Sequence, residues 1–77
     1  MNIEESHLRV LEAIHDSPGG EANFAHLQHG RYLLGLARTM DELENGGLIR
    51  KTDRDDLRGP WYTLTEAGER AVRVYGL

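Results

Sequence analysis

A chain of 77 residues holds one small domain, taken as 1–77, and its lack of cysteine removes disulfides and thiolate metal sites as sources of stability. Thirteen acidic against nine basic residues leave a formal charge of −4, which argues against a bulk, sequence-indifferent nucleic-acid binder. No apolar run is long enough for a membrane span and the N-terminus lacks the basic-then-apolar order of a secretory leader, so a cytoplasmic protein is expected.

Residues Met1 to Asp16 read as a helix. Ile3, Val10, Leu11 and Ile14 share a face with Leu8 at its margin, while Glu5, Arg9, Glu12 and Asp16 take the other side. Asn2 with Glu5 three residues on has the spacing of a capping box. His7 falls inside the apolar stripe and reads as a hydrogen-bonded histidine at the core margin. Ser17-Pro18-Gly19-Gly20 ends the helix. Glu21 to His29 carries Ala22, Phe24, Ala25 and Leu27 without a clean period, so a single short helix and a strand-turn-helix both fit.

Arg31 to Asn45 reads as the next helix, with Leu33, Leu36, Met40 and Leu43 on one stripe. Arg31, Gly35, Arg38 and Glu42 run along nearly the opposite face, flanked by Leu34 and Thr39. Glycine within a helix costs about 1 kcal/mol against alanine. Gly35 therefore marks either a close backbone approach or a helix that starts near it, with residues 30–34 forming a turn. Gly46-Gly47 permits the helix to stop. Leu48 to Thr52 and Trp61 to Leu64 then read as two strands of a hairpin whose charged tip runs from Asp53 to Pro60. Alternation puts Tyr62 and Leu64 inward and Trp61 outward. Thr65 is placed to cap a final helix in which Ala67, Ala71, Val74 and Tyr75 share a face, with Val72 outside it.

At the hairpin the chain resembles a family. Asp56-Leu57-Arg58, Tyr62-Thr63-Leu64-Thr65 and Gly68 match the wing signature D-x-R followed by x-L-T-x-x-G of MarR-like winged-helix regulators. The upstream Leu-Glu-Asn-Gly-Gly-Leu-Ile is similar to the end of a recognition helix in MarR, PadR and ArsR relatives. The resemblance implies an α+β fold: a small winged helix-turn-helix domain of three helices, a two-stranded wing and a C-terminal helix. It also implies a transcriptional regulator that binds double-stranded DNA with helix 31–45 in the major groove and wing 48–64 at the minor groove. In that family the wing arginine enters the minor groove and the aspartate two before it holds its side chain, roles that fall on Arg58 and Asp56.

On such a helix the N-terminal half faces the groove. Arg38 is placed for a bidentate guanine contact worth ~1–3 kcal/mol of discrimination. Arg31 would meet a phosphate, and Leu34 and Thr39 a thymine methyl. The DNA-facing set is then Arg31, Leu34, Gly35, Arg38, Thr39, Arg50, Lys51, Arg54, Arg58 and Trp61, with Asp56 supporting the wing. Residues 30–60 hold as many bases as acids, and the rest of the chain supplies the whole −4, which suits an oriented binder. It suits equally a protein-interaction module that does not bind DNA, contacting its partner through Leu34, Trp61 and the acidic residues Asp41, Glu42 and Glu44.

MarR-like proteins carry additional helices at both ends that build a dimer and a ligand pocket. These 77 residues do not include them, so symmetric recognition by a homodimer would use the first helix or the edge Val72-Tyr75-Leu77. No nucleophile motif and no phosphate-binding glycine loop occurs, so neither an enzyme, nor a cofactor, nor a small-molecule ligand is expected. His26 and His29 stand three apart and His7 and His15 eight apart with no cysteine to complete a set, and no metal site is expected.

Overall fold

The computed structural model describes residues 2–28 and 35–76. Among these residues it is an α+β fold of four α-helices and a three-stranded antiparallel sheet. In chain order the elements are α1 (Glu5–His15), β1 (Glu21–Ala22), α2 (Phe24–Gln28), α3 (Leu36–Asn45), β2 (Ile49–Asp56), β3 (Gly59–Leu64) and α4 (Glu66–Tyr75). None of these helices is long and apolar enough to cross a membrane.

Helix α1 touches α2, α3, α4, β1 and β3, so its inner face is the centre of the core. Val10, Leu11 and Ile14 are buried there as the periodicity predicts, with Ile3 packed against their edge. The helix starts later than the Asn2–Glu5 spacing suggests. Glu4 is the N-cap, in extended conformation, and its backbone N–H donates to His7 Nδ1 at 3.0 Å. A histidine at the third helical position thus accepts the bond that a glutamate accepts in a capping box.

Past the tight turn Pro18–Gly20, the strand-turn-helix alternative holds for the next segment. Asn23 is buried, and its Oδ1 accepts from the backbone N–H of His26 at 2.7 Å, which fixes the start of α2. Strand β1 adds to the hairpin as a third strand in the order β1-β3-β2, where the sequence suggests only two. Residues 29–34 lie outside the described part of the chain, so the expected start of the second long helix at Arg31 is not tested, and neither is Leu33. Within the described residues α3 begins at Leu36, and Gly35 precedes it at φ +68°, the left-handed region that glycine enters without a Cβ clash. Gly35 is therefore an N-terminal boundary, not a mid-helix residue.

The end of α3 follows the double glycine. Leu48 N–H donates to Leu43 O at 2.9 Å and Gly47 N–H to Glu44 O at 3.1 Å, with Gly47 at φ +76°. Those two bonds define a Schellman closure, which needs a left-handed residue at this position. Helix α4 starts as the sequence indicates: the Thr65 hydroxyl accepts from Gly68 N–H at 3.2 Å. Its inward face differs from the expected one. Gly68 and Ala71 are buried and Val72 is packed against the core, whereas Ala67, Val74 and Tyr75 are exposed. The helix is rolled inward on its small residues because Gly68 fits directly against the backbone of Leu48.

Candidate nucleic-acid interface

The hairpin is built from longer strands and a shorter tip than alternation alone suggests. Asp56 pairs with Gly59, so only Leu57 and Arg58 lie between the strands, and the expected eight-residue tip Asp53 to Pro60 is mostly strand. Among the described residues only glycines have positive φ, and Gly59 is one of them at +95°. A left-handed glycine following an ordinary turn is the pattern of a G1 bulge, which closes many short hairpins. Aspartate at the first position suits such a turn because its carboxylate can bond the backbone two residues on. Asp56 Oδ1 does so, accepting from Arg58 N–H at 2.9 Å.

The expectation that Asp56 grips the Arg58 side chain is therefore corrected: it holds that residue's backbone. Its second oxygen accepts from Trp61 Nε1 at 3.0 Å. The Arg58 N–H and the Trp61 indole, with the nearby charges of Arg54 and Arg58, hold the Asp56 carboxyl below its usual pKa.

Register explains where Arg54 goes. Lys51 pairs with Tyr62 and Asp55 with Pro60, so Thr52, Asp53 and Arg54 stand opposite Trp61 alone. The extra residues bend β2, as bulges do, and re-aim a side chain. The Arg54 guanidinium carbon lies 3.6 Å from the centre of the Trp61 ring, a cation–π contact worth about 0.5–1 kcal/mol at an exposed site. Trp61 points away from the core as expected, but it is half-buried under Arg54 and pinned by Asp56, so it is not a free aromatic surface.

Pairing also sorts the cations. Arg50 pairs with Thr63, which pairs with Glu21 on its other side, so this row lies on the outer face together with Trp61. Arg50, Thr52, Asp53 and Arg54 line a shallow groove there with Gly19, Glu21 and Thr63. Lys51 pairs with Tyr62 and so belongs to the reverse face, with Ile49 and Leu64. Arg50 and Lys51 do not share one surface. None of the ion pairs among the described residues includes Arg50, Lys51, Arg54 or Arg58.

On α3 the candidates separate. Arg38 is well exposed, its side chain at 86%, with Nε 3.6 Å from Glu42 Oε2. Thr39 is buried at 7% and is not groove-facing. It lies one turn from both Leu36 and Leu43, inside the apolar stripe and not beside the opposite face that it was expected to flank. Gly35 stands exposed at the helix start. Arg31 and Leu34 lie outside the described residues.

A link not foreseen from sequence ties α3 to α1. His7 is 4% exposed, and its Nε2 lies 3.0 Å from Glu42 Oε1. Because Nδ1 accepts from Glu4 N–H, the ring proton sits on Nε2 and donates to Glu42. Glu42 therefore joins buried His7 to exposed Arg38. The signal for this was a histidine inside an apolar stripe, but its partner is 35 residues away.

On the sheet's inner side Tyr62 is packed edge-on against Phe24, ring centres 6.1 Å apart. Burial raises its phenol pKa, with lesser contributions from Glu44 and Asp41. Compared with models of protein families, with curated proteins and with solved structures, the chain matches none.

Proposed function

We propose that this chain is a winged-helix module that binds duplex DNA, as a small transcriptional regulator would. Helix α3 is directed at the major groove and the β2–β3 hairpin at the adjacent minor groove and backbone. The element order helix, strand, helix, helix, hairpin is compatible with that fold. The observation that carries the reading is the hairpin itself. In a protein of net charge −4 it presents Arg50, Lys51, Arg54 and Arg58, none of them in an ion pair among the described residues. Cations not held in ion pairs are available to phosphates and can displace their counterions.

Arg54 reaches the surface already stacked, which reduces the entropy it would lose on contact. Arg38 is offered from α3 with one exposed carboxylate beside it. Arg50, Arg54, Arg58 and Arg38 are the residues in named roles: phosphate contacts for the first two, minor groove for Arg58, base edge for Arg38.

The test is fluorescence anisotropy with a random-sequence duplex between about 50 and 200 mM salt. Binding should weaken by roughly one power of salt concentration per phosphate neutralised. Arg58→Ala should lower affinity for most sequences, and Arg38→Ala should also flatten sequence preference. Absence of binding at the lowest salt would sink the reading.

One observation favours a protein partner instead. Val74 and Tyr75 are 67% and 58% exposed at the end of α4, beside a groove lined by Ile3, Leu48, Ala67 and Ala71. Association through that apolar edge, with another protein or a second copy of the chain, would respond little to salt. The same titration separates the two.

A further inference from the structure

We propose that Leu57 is an apolar wedge that enters the base stack from the minor groove beside Arg58, unstacking one step and bending the duplex. This deepens the duplex-binding reading above and rests on it. Among the described residues Leu57 is the most exposed large apolar side chain, at 107% of its reference area, and it occupies the apex of the hairpin between Asp56 and Arg58.

The fold gives no reason for leucine there. Turn positions favour glycine, asparagine, aspartate, serine and proline, for which a backbone argument exists in each case. A fully exposed leucine gains nothing from burial either. The turn that carries it is held on both flanks. Asp56 accepts from Arg58 N–H at 2.9 Å and from the Trp61 indole at 3.0 Å, and the Arg54 guanidinium carbon stacks 3.6 Å from the centre of the Trp61 ring. The apex is thus an apolar side chain on a braced mount with a guanidinium next to it.

Duplex DNA is the partner these features fit together. Arg58 would supply the charge that draws the tip into the narrow groove, and the isobutyl group would then be seated between bases. Apolar side chains inserted at that depth offset the cost of unstacking by removing their surface from water, and they kink the helix toward the major groove. The cost is lowest at pyrimidine–purine steps, TA and CA/TG. Preference for such steps would therefore arise with no hydrogen bond to a base.

The experiment uses the full chain with two short duplexes of equal length and charge, one rich in TA and CA steps and one an A-tract. Both carry 2-aminopurine, whose fluorescence rises on unstacking. Wild type should bind the flexible duplex more tightly and raise its fluorescence. Leu57→Ala should lose the fluorescence rise and bind that duplex more weakly, on the order of tenfold, which is the transfer of one leucine side chain less the unstacking it drives. Leu57→Phe should keep both signals. Arg58→Ala should weaken binding to both duplexes. If wild type binds but fluorescence does not rise, or if L57A binds and reports as wild type does, the wedge is overturned while duplex binding stands. If wild type binds neither duplex at low salt, the underlying reading fails and the wedge fails with it.

Discussion

Gly68 packs against the carbonyl of Leu48 so closely that a Cβ built on it would overlap that oxygen and lie 3.3 Å from the Leu64 Cβ. The same Leu48 oxygen accepts from Thr65 N–H at 3.0 Å. One backbone group at the hairpin's root thus receives both the cap of α4 and its first turn. This gives the spacing L-T-x-x-G a physical basis: leucine in the core, threonine at the cap, glycine where the helix crosses the strand.

Gly68→Ala should therefore be strongly destabilising despite alanine's better helix propensity. The obstacle is backbone, so relief requires shifting α4 away from β2, an overpacking cost of about 1–3 kcal/mol or more. Urea denaturation monitored by Trp61 fluorescence and circular dichroism would measure it. A variant as stable as wild type would show that the helix can slide freely.

Thr65 serves two elements at once. Its hydroxyl accepts from Gly68 N–H and donates to Gly47 O at 2.6 Å, joining α4 to the end of α3. Thr65→Ala should cost about 1–2 kcal/mol, the upper part of the range for a helix cap, because the Gly47 oxygen also loses its donor. Thr65→Ser should restore most of it. Thermal melts of the three proteins decide the matter.

Asp56 should give the hairpin tip an acid sensitivity. Its folded-state pKa lies below the ordinary carboxylate value, chiefly through the Arg58 N–H and then the Trp61 indole. A group depressed in this way favours the folded turn above its unfolded pKa of ~4, and that contribution is lost as pH falls through the lower folded value. The NMR signal of Trp61 Nε1–H should move upfield over that acid range, and Asp56→Asn should abolish the titration. Because the carboxylate is exposed, global stability should change little. An indole signal that titrates identically in D56N would remove the carboxylate from the account.

His7 should hold a single tautomer. With Nδ1 accepting from Glu4 N–H and Nε2 donating to Glu42, both ring nitrogens are occupied in a site that is almost fully buried. Long-range nitrogen–proton correlation spectra should find the Nε2-protonated form. His7→Ala should cost about 1–3 kcal/mol, because it leaves a cavity and a helix N–H without its acceptor. Glu42→Gln should be milder, since an amide oxygen can still accept from Nε2. If H7A unfolds at the wild-type denaturant concentration, the link is not structural.

The sequence was informative wherever one residue type answers to local backbone geometry. Gly46-Gly47 ended α3 because a left-handed residue is needed there, and Thr65 capped α4 because its hydroxyl reaches three residues on. The stripes Val10-Leu11-Ile14 and Leu36-Met40-Leu43 were legible because helical spacing alone brings their side chains to one face. Both strands of the hairpin were placed, although their lengths were not.

What sequence left open depended on neighbours distant along the chain. Thr39 was placed at the flank of the solvent face, and only the tertiary packing of α3 buried it. Helix α4 was given the wrong inner face because periodicity cannot choose between adjacent faces of similar apolarity. That choice fell to the close fit of Gly68 on Leu48. Strand β1 became a strand only by meeting β3 some forty residues later, and Arg54 met Trp61 only because a bulge shifted the register. Local geometry could therefore be read from single residues and their spacing. The sorting of the hairpin's cations, Arg50 and Arg54 to the face of Trp61 and Lys51 to the other, was decided by strand pairing, a long-range event that residues far apart in the chain must make together.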